Sequence, residues 1–418
     1  MGLVVLPAVI SLCKILSKLA IDLDKRPELV ANLTRRESVA QEEAAERVTL
    51  VESTANVIRE AFKKCLSERS GNVSGVDGNG RPEGRRVGIY VTANLCLKLF
   101  FHCKKLRSAE QVFGNIYQQS PPLALFPAAQ RVTFLYYLGR YLFANNHFFR
   151  AQLALQEAYN ECPARFQSQR RLILIYLLTS NIILGRFPKP TVWHRPEAAD
   201  LQSRFQPLCA AIQHGDLASF RRFVDPTAAH ASWFLDRRIL LQIADRCEVL
   251  VWRSLARRTF LLAGSQGDAA SRRAPTMMLQ DLLNLAIYLE KQARGTDGTA
   301  EYIDPDLEGV VEPEGPLLPT MEIVESIAAS LIEQGFLHGF ISHSSRRFAI
   351  IGARNAPSLQ VGFPRVWDVV KARGDTEVPG WVTAQQRGGA GGGVMGRGLT
   401  GGMVVNLSGA RPAGAALA

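Results

Sequence analysis

The sequence predicts a stack of α-helical hairpins that ends in a small α+β unit. Two observations carry this prediction. Apolar residues recur at helical spacing over most of the chain, and strand-like alternation is confined to residues 336–351. The stretch Met321–Ile351 holds both patterns side by side. Ile323, Val324, Ile327, Ala328, Leu331 and Ile332 build one helix face. Thr320 is placed to cap that helix, Glu322 and Glu325 suit the positive end of its dipole, and Gly335 can take the left-handed conformation that ends it. Two short runs follow, Phe336–His343 and Arg347–Ile351, joined by the turn Ser344–Ser345–Arg346. In the second half of each run Phe340 and Ser342, then Phe348 and Ile350, alternate. A helix followed by a tight two-stranded hairpin is the last part of a winged helix, and the hairpin is its wing. The same spacing also fits any small α+β unit in which a helix covers a hairpin.

The chain has 418 residues, enough for two or three domains. A hydrophobic content of 47% with 21% charged residues is an ordinary globular balance. The net charge of +11 suits acidic partners, either nucleic acid or an acidic protein, and does not choose between them. Seven cysteines are spread along the chain with no Cys-x-x-Cys pair, most of them inside apolar helical runs. They read as buried free thiols in a reducing compartment, and no zinc spacing is present. The run Leu3–Ile10 is apolar but short, is broken by Pro7 and lacks a basic start. No apolar stretch of about 18 to 20 residues is read, so neither a membrane span nor a membrane partner is expected. Nuclear or cytoplasmic localisation follows by elimination.

In chain order, residues 9–66 read as helices, with the charged stretch Arg35–Arg47 between them as a solvated helix or a loop. Residues 71–88 are rich in Gly and Asn and read as a flexible linker. A helical pair with a basic turn at Lys104–Lys105 follows. Arg131–Pro163 reads as one hairpin: Leu135, Leu138, Tyr141 and Leu142 pack on Ala151, Leu155 and Ala158, Gly139 permits close approach, and Asn145–Asn146 turns the chain. It is similar to a tetratricopeptide repeat, without a strict period. Arg170–Pro188 is apolar nearly all round, as a centrally buried helix is. Gly215–Asp216 reads as a helix end followed by the cap of the next helix, and Arg237–Phe260 as one long helix. Ser265–Ala274 is a linker, Met277–Glu290 the first helix of the winged-helix unit, and Lys291–Pro319 an acidic inserted loop. Beyond residue 370 the text becomes Gly-rich and is expected to be disordered.

Four blocks carry a family resemblance: NLCLKLFFHCKKLRSAEQVFGNI, FLYYLGRYLFANNHFFRAQLALQEAYNECP, RRLILIYLLTSNIILGRFP and SLIEQGFLHGFISHSSRRFAI, with FPRVWDV after the wing. They resemble the PCI-domain proteins, in the branch of the Thp-type messenger-export subunit and the signalosome-associated twelfth subunit of fungi. The resemblance runs from about residue 45 to 366 and does not separate those two members. It implies an all-α, TPR-like repeat stack followed by the winged helix of a PCI domain. The implied divisions are 1–70 N-terminal helices, 71–88 linker, 89–204 repeats, 205–275 helical part of the PCI domain, 276–370 winged helix with its 291–319 insertion, and 371–418 tail. The resemblance further implies a non-enzymatic scaffold. Its partners would be a second PCI protein of the Sac or Thp type and a small acidic Dss-type protein. Joined winged helices would bind RNA or DNA.

No catalytic or metal-binding constellation is found, and no cofactor is expected. Basic pairs are the recurrent signal. Arg346 and Arg347 sit on the wing, where they can reach backbone phosphates, with His343 before the turn and Lys371 and Arg373 after the unit. These five are the nucleic-acid candidates, read as sequence-independent because Glu322, Glu325 and Glu333 would repel a major groove. Arg221, Arg222, Arg237 and Arg238 are the candidates for carboxylates of the small acidic partner.

Overall fold

The computed structural model describes residues 2–26, 28–29, 49–68, 75–267, 273–294, 319–353 and 357–374. The Arg35–Arg47 stretch, residues 295–318 of the acidic insertion and the tail beyond 374 lie outside them. The chain divides into two compact units, one of Met1–Thr92 and Leu99–Leu125, the other of Ala93–Lys98 and Phe126–Val378.

The first unit contains α1 (Gly2–Asp24), α2 (Leu50–Leu66), the ends of α3 (Ile89–His102) and α4 (Leu106–Gln119). Thr49 caps α2 by accepting from the Glu52 amide at 3.2 Å. One stripe of α1, Leu6, Cys13, Ser17 and Ala20, is buried. The opposite stripe is apolar too, yet Val5, Leu12, Leu16 and Leu19 remain exposed. This corrects the reading of the N-terminus. Pro7 does not break the helix, and Val4–Asp24 is long and apolar enough to cross a membrane by length and composition. Residues 75–88, expected as linker, are built. Val76 bridges to Pro82, the Asp77 carboxylate accepts from the Asn79 and Arg81 amides, and a 3-10 turn spans Gly84–Gly88. Arg85 holds Glu68 at 2.6 Å, which ties this loop to the end of α2.

The second unit is a run of helical hairpins. Helices α5 (Ala128–Ala144) and α6 (Phe148–Glu161) pair across the Asn145–Asn146 turn, where Asn146 takes φ 63°. Gly139 sits against Leu155: a Cβ there would lie 2.5 Å from its Cγ. Helix α7 (Gln167–Ile183) is buried on every side from Ile173 to Ser180. Tyr136 packs edge-on against Tyr176 of α7, with the Arg140 guanidinium 4.9 Å from the Tyr176 ring centre. Then come α8 (Pro190–Trp193), α9 (Leu201–His214), α10 (Leu217–Val224), α11 (Ala231–Asp236) and α12 (Leu240–Ala263). Helices α9, α10 and α11 all pack on α12. The long helix expected over Arg237–Phe260 is present but starts three residues later, at Leu240. Arg238 adopts φ 55°, so α11 ends and α12 begins at Leu240.

Past Ala263 the chain forms β1 (Thr276–Met278), α13 (Leu279–Arg294), α14 (Met321–Glu333), β2 (Gly339–Ser342), β3 (Arg347–Ile350), α15 (Ser358–Gly362) and α16 (Val366–Arg373). The strands make one antiparallel sheet of order β1-β3-β2. Two expectations are corrected here. Met277 and Met278 belong to a strand, Thr276–Met278, not to the first turn of a helix, and the two-stranded wing has a third strand. The physical reason is the register. Met277 lies opposite Phe348 and is only 1% exposed, so pairing with β3 buries it better than a helical start would. The last helix also runs to Arg373, three residues into the expected tail. The cysteines are free thiols, all buried except Cys103, which is intermediate.

Candidate nucleic-acid interface

Helix α14 starts where Thr320 Oγ1 accepts from the Ile323 amide and ends at Gly335, φ 76°. Val324, Ala328 and Leu331 face inward. The hairpin that follows is held in register Gly339↔Ile350 to Ser342↔Arg347. Its turn closes through the Arg346 amide donating to the His343 carbonyl at 3.2 Å. Arg346 itself adopts φ 48°, a conformation uncommon for an L-residue. Its carbonyl accepts from the Leu279 amide at 2.9 Å, so the wing turn is anchored to the start of α13.

This geometry brings three of the five nucleic-acid candidates together. His343, Arg346 and Arg347 are all exposed at the turn and the strand start. Arg347 lies along the outer sheet face, its Nε 3.0 Å from Met278 Sδ. His343 meets the Glu325 carboxylate at 2.8 Å through Nδ1, so one ring nitrogen is engaged inside the chain. Arg373 belongs elsewhere. Its guanidinium donates to the Gln334 carbonyl at 3.0 Å and to the Glu333 carbonyl, closing the C-terminal end of α14. That end is eight residues from Glu325, roughly 12 Å along the helix. Lys371 is exposed on α16.

The sequence reading missed two apolar members of the outer sheet face. Phe340 is 54% and Met278 36% exposed, on the same side as Arg347. The alternation of Phe340 with inward-facing Ile341 carried a signal for the first. Met278 had none, because β1 was not recognised.

The second candidate group divides. Arg221 is consumed within the chain, 2.9 Å from Glu248 and 2.5 Å from Glu290. Arg237 stacks 4.0 Å from the Trp233 ring centre and donates to the Trp233 carbonyl at 2.9 Å. Burial pushes its pKa down. Arg222 and Arg238 remain exposed. Among the described residues no group of three or more His, Cys, Asp or Glu is placed to hold a metal ion.

No protein-family model matches the chain. Curated relatives do. A PCI domain-containing protein of Schizosaccharomyces pombe is 30% identical over 300 residues, 72% of this chain and 59% of that protein. A protein of Gibberella zeae named Protein CSN12 homolog is 26% identical over 308 residues, 72% of this chain and 59% of its own. The PCI domain-containing protein 2 homolog of Drosophila melanogaster is 22% identical over 317 residues, 75% of this chain and 66% of its own. The chain spans about three-fifths of the length of the first two relatives.

Proposed function

The chain belongs to the PCI-domain family, and on that premise we propose that it is a non-enzymatic scaffold subunit that binds nucleic acid through its wing. It would pair with a second PCI protein and a small acidic Dss-type protein, in transcription-coupled messenger export in the nucleus, with a cytoplasmic pool. One observation supports this reading most. The wing presents exposed Arg346 at its turn and Arg347 on the outer sheet face beside exposed Phe340 and Met278. Guanidinium groups there suit backbone phosphates. An exposed aromatic beside them suits the winged helix of a partner. For the small acidic partner, Arg222 and Arg238 are the better anchors, since Arg221 and Arg237 are already engaged.

A second reading has an observation of its own. Glu325 occupies His343, and Glu322 and Glu333 are exposed on the same helix. This acidity favours a protein-only scaffold tied to the signalosome or to splicing. Affinity purification of the full chain tests the pairing itself. We expect a second PCI protein to co-purify, and Phe340→Asp to weaken that association at least tenfold while the thermal midpoint holds. Co-purification unchanged by Phe340→Asp would remove the wing face from the pairing.

A further inference from the structure

A cleft of about 630 Å³ opens in the second unit between α12 and the segment that leads from α15 into α16. Its charged lining is Arg253 and Arg257 from α12, Arg365 before α16, and one carboxylate, Asp368. Gln360 adds an amide, and Leu359 and Phe363 add apolar wall. Arg253 is the fixed member. Its Nη2 donates to the Phe363 carbonyl at 3.0 Å and the Pro364 carbonyl at 2.6 Å. Its Nε is enclosed and has no acceptor. These bonds use carbonyl dipoles and leave its full charge uncompensated. Burial, then the neighbouring charge of Arg257, push the Arg253 pKa down to about 10. Among the described residues Arg257 and Arg365 form no ion pair, and both are exposed at the cleft rim.

Three guanidinium groups against one carboxylate leave a net charge of +2 on the cleft lining (3 − 1). A single carboxylate or one backbone phosphodiester would neutralise half of that; a terminal phosphate dianion, or two successive backbone phosphates, neutralises it all. Guanidinium forks also match phosphate oxygens in bidentate geometry. The volume falls within the range of small-molecule sites, roughly 300–1,000 Å³. We infer that this cleft is a binding site for a phosphate group, carried by a small polyphosphate or by a nucleic-acid backbone. The cleft lining shares no residue with the outer face of the wing, and the site stands or falls independently of the function proposed above.

The test is calorimetric titration of the full chain with inorganic tripolyphosphate. We expect saturable binding at one site per chain. Arg257→Ala/Arg365→Ala removes two side chains that make no ion pair among the described residues, so the thermal midpoint should stay. It should weaken tripolyphosphate at least tenfold. Arg346→Ala/Arg347→Ala on the wing should leave that affinity unchanged. A single-stranded RNA oligonucleotide then separates the two sources. Displacement of tripolyphosphate identifies a nucleic-acid backbone, and failure to displace it identifies a free polyphosphate; both keep the cleft as a phosphate site. Absence of saturable binding, full affinity in Arg257→Ala/Arg365→Ala, or equal loss in the wing variant would overturn it.

Discussion

Glu197→Ala should destabilise the protein by about 3–5 kcal/mol, the range for removing one partner of a buried ion pair. Glu197 is 5% exposed and accepts from Tyr159 Oη at 2.5 Å and from Arg170 Nε at 2.8 Å. Arg170 also donates to the Cys162 carbonyl at 2.6 Å and stacks on the Tyr159 ring, while Arg195 donates to Tyr159 Oη at 2.7 Å. Loss of the carboxylate would leave the Arg170 guanidinium and the Tyr159 phenol without their common acceptor. Burial opposes ionisation of Glu197, but the hydrogen bonds from Tyr159 and Arg170 outweigh it and hold the carboxyl below its ordinary value. A carboxyl depressed on folding contributes stability above its unfolded value of about 4.3 and loses it as pH falls through the folded value. The gap between wild type and Glu197→Ala should thus be widest near pH 7 and narrow at acid pH. Urea unfolding at both pH values measures it, and equal midpoints at pH 7 would refute the cluster's role.

Gly215→Ala should cost about 2–4 kcal/mol, the sum of a left-handed backbone and a forced contact. Gly215 takes φ 69°, and a Cβ there would stand 2.5 Å from the Leu255 amide nitrogen and 2.7 Å from its Cα. Those atoms belong to the backbone of α12 and cannot rotate away. The same turn ends α9, and Asp216 caps α10 by accepting from the Ser219 amide at 3.0 Å. Gly114→Ala gives the opposite sign. It lies within α4 with nothing within 4 Å of its missing Cβ, so Ala should stabilise by up to about 1 kcal/mol. Thermal unfolding of the two variants compares them directly, and a neutral Gly215→Ala would mean that α12 does not pack as described.

Features with local causes were legible. Thr320 and Gly335 bound α14, Gly139 meets Leu155, and Gly215–Asp216 joins α9 to α10, because caps, turns and helix faces are set within a few residues. Features set by distant partners were not. β1 is three residues long and is decided by Phe348, some 70 positions later in the chain. Arg170 read as the start of an apolar run, yet its carboxylate lies 27 residues on. Arg221 read as open to a partner, yet Glu290 is 69 residues on. In α1 the charges are few and the buried seam of Leu6, Cys13, Ser17 and Ala20 is mixed, so the run was cut at Pro7 and helix read only from residue 9, rather than as one helix to Asp24. Among the wing candidates the local reading located Arg346 and Arg347 correctly in the turn region. It could not place Arg373 on the α14 C-terminus, nor pair His343 with Glu325.

The most direct test of the wing as a nucleic-acid contact is a salt titration of duplex DNA and RNA binding. It compares wild type with Arg346→Ala/Arg347→Ala, alone and with the PCI partner proposed above. Each phosphate neutralised on duplex DNA contributes a slope of about 0.9 to the fall of log affinity with log salt. The double variant should weaken all sequences alike and lower the slope by at most about two, with tight binding only when the partner is present. Equal affinity and equal slope for both proteins in both settings would contradict the wing assignment and leave the protein-only scaffold as the function.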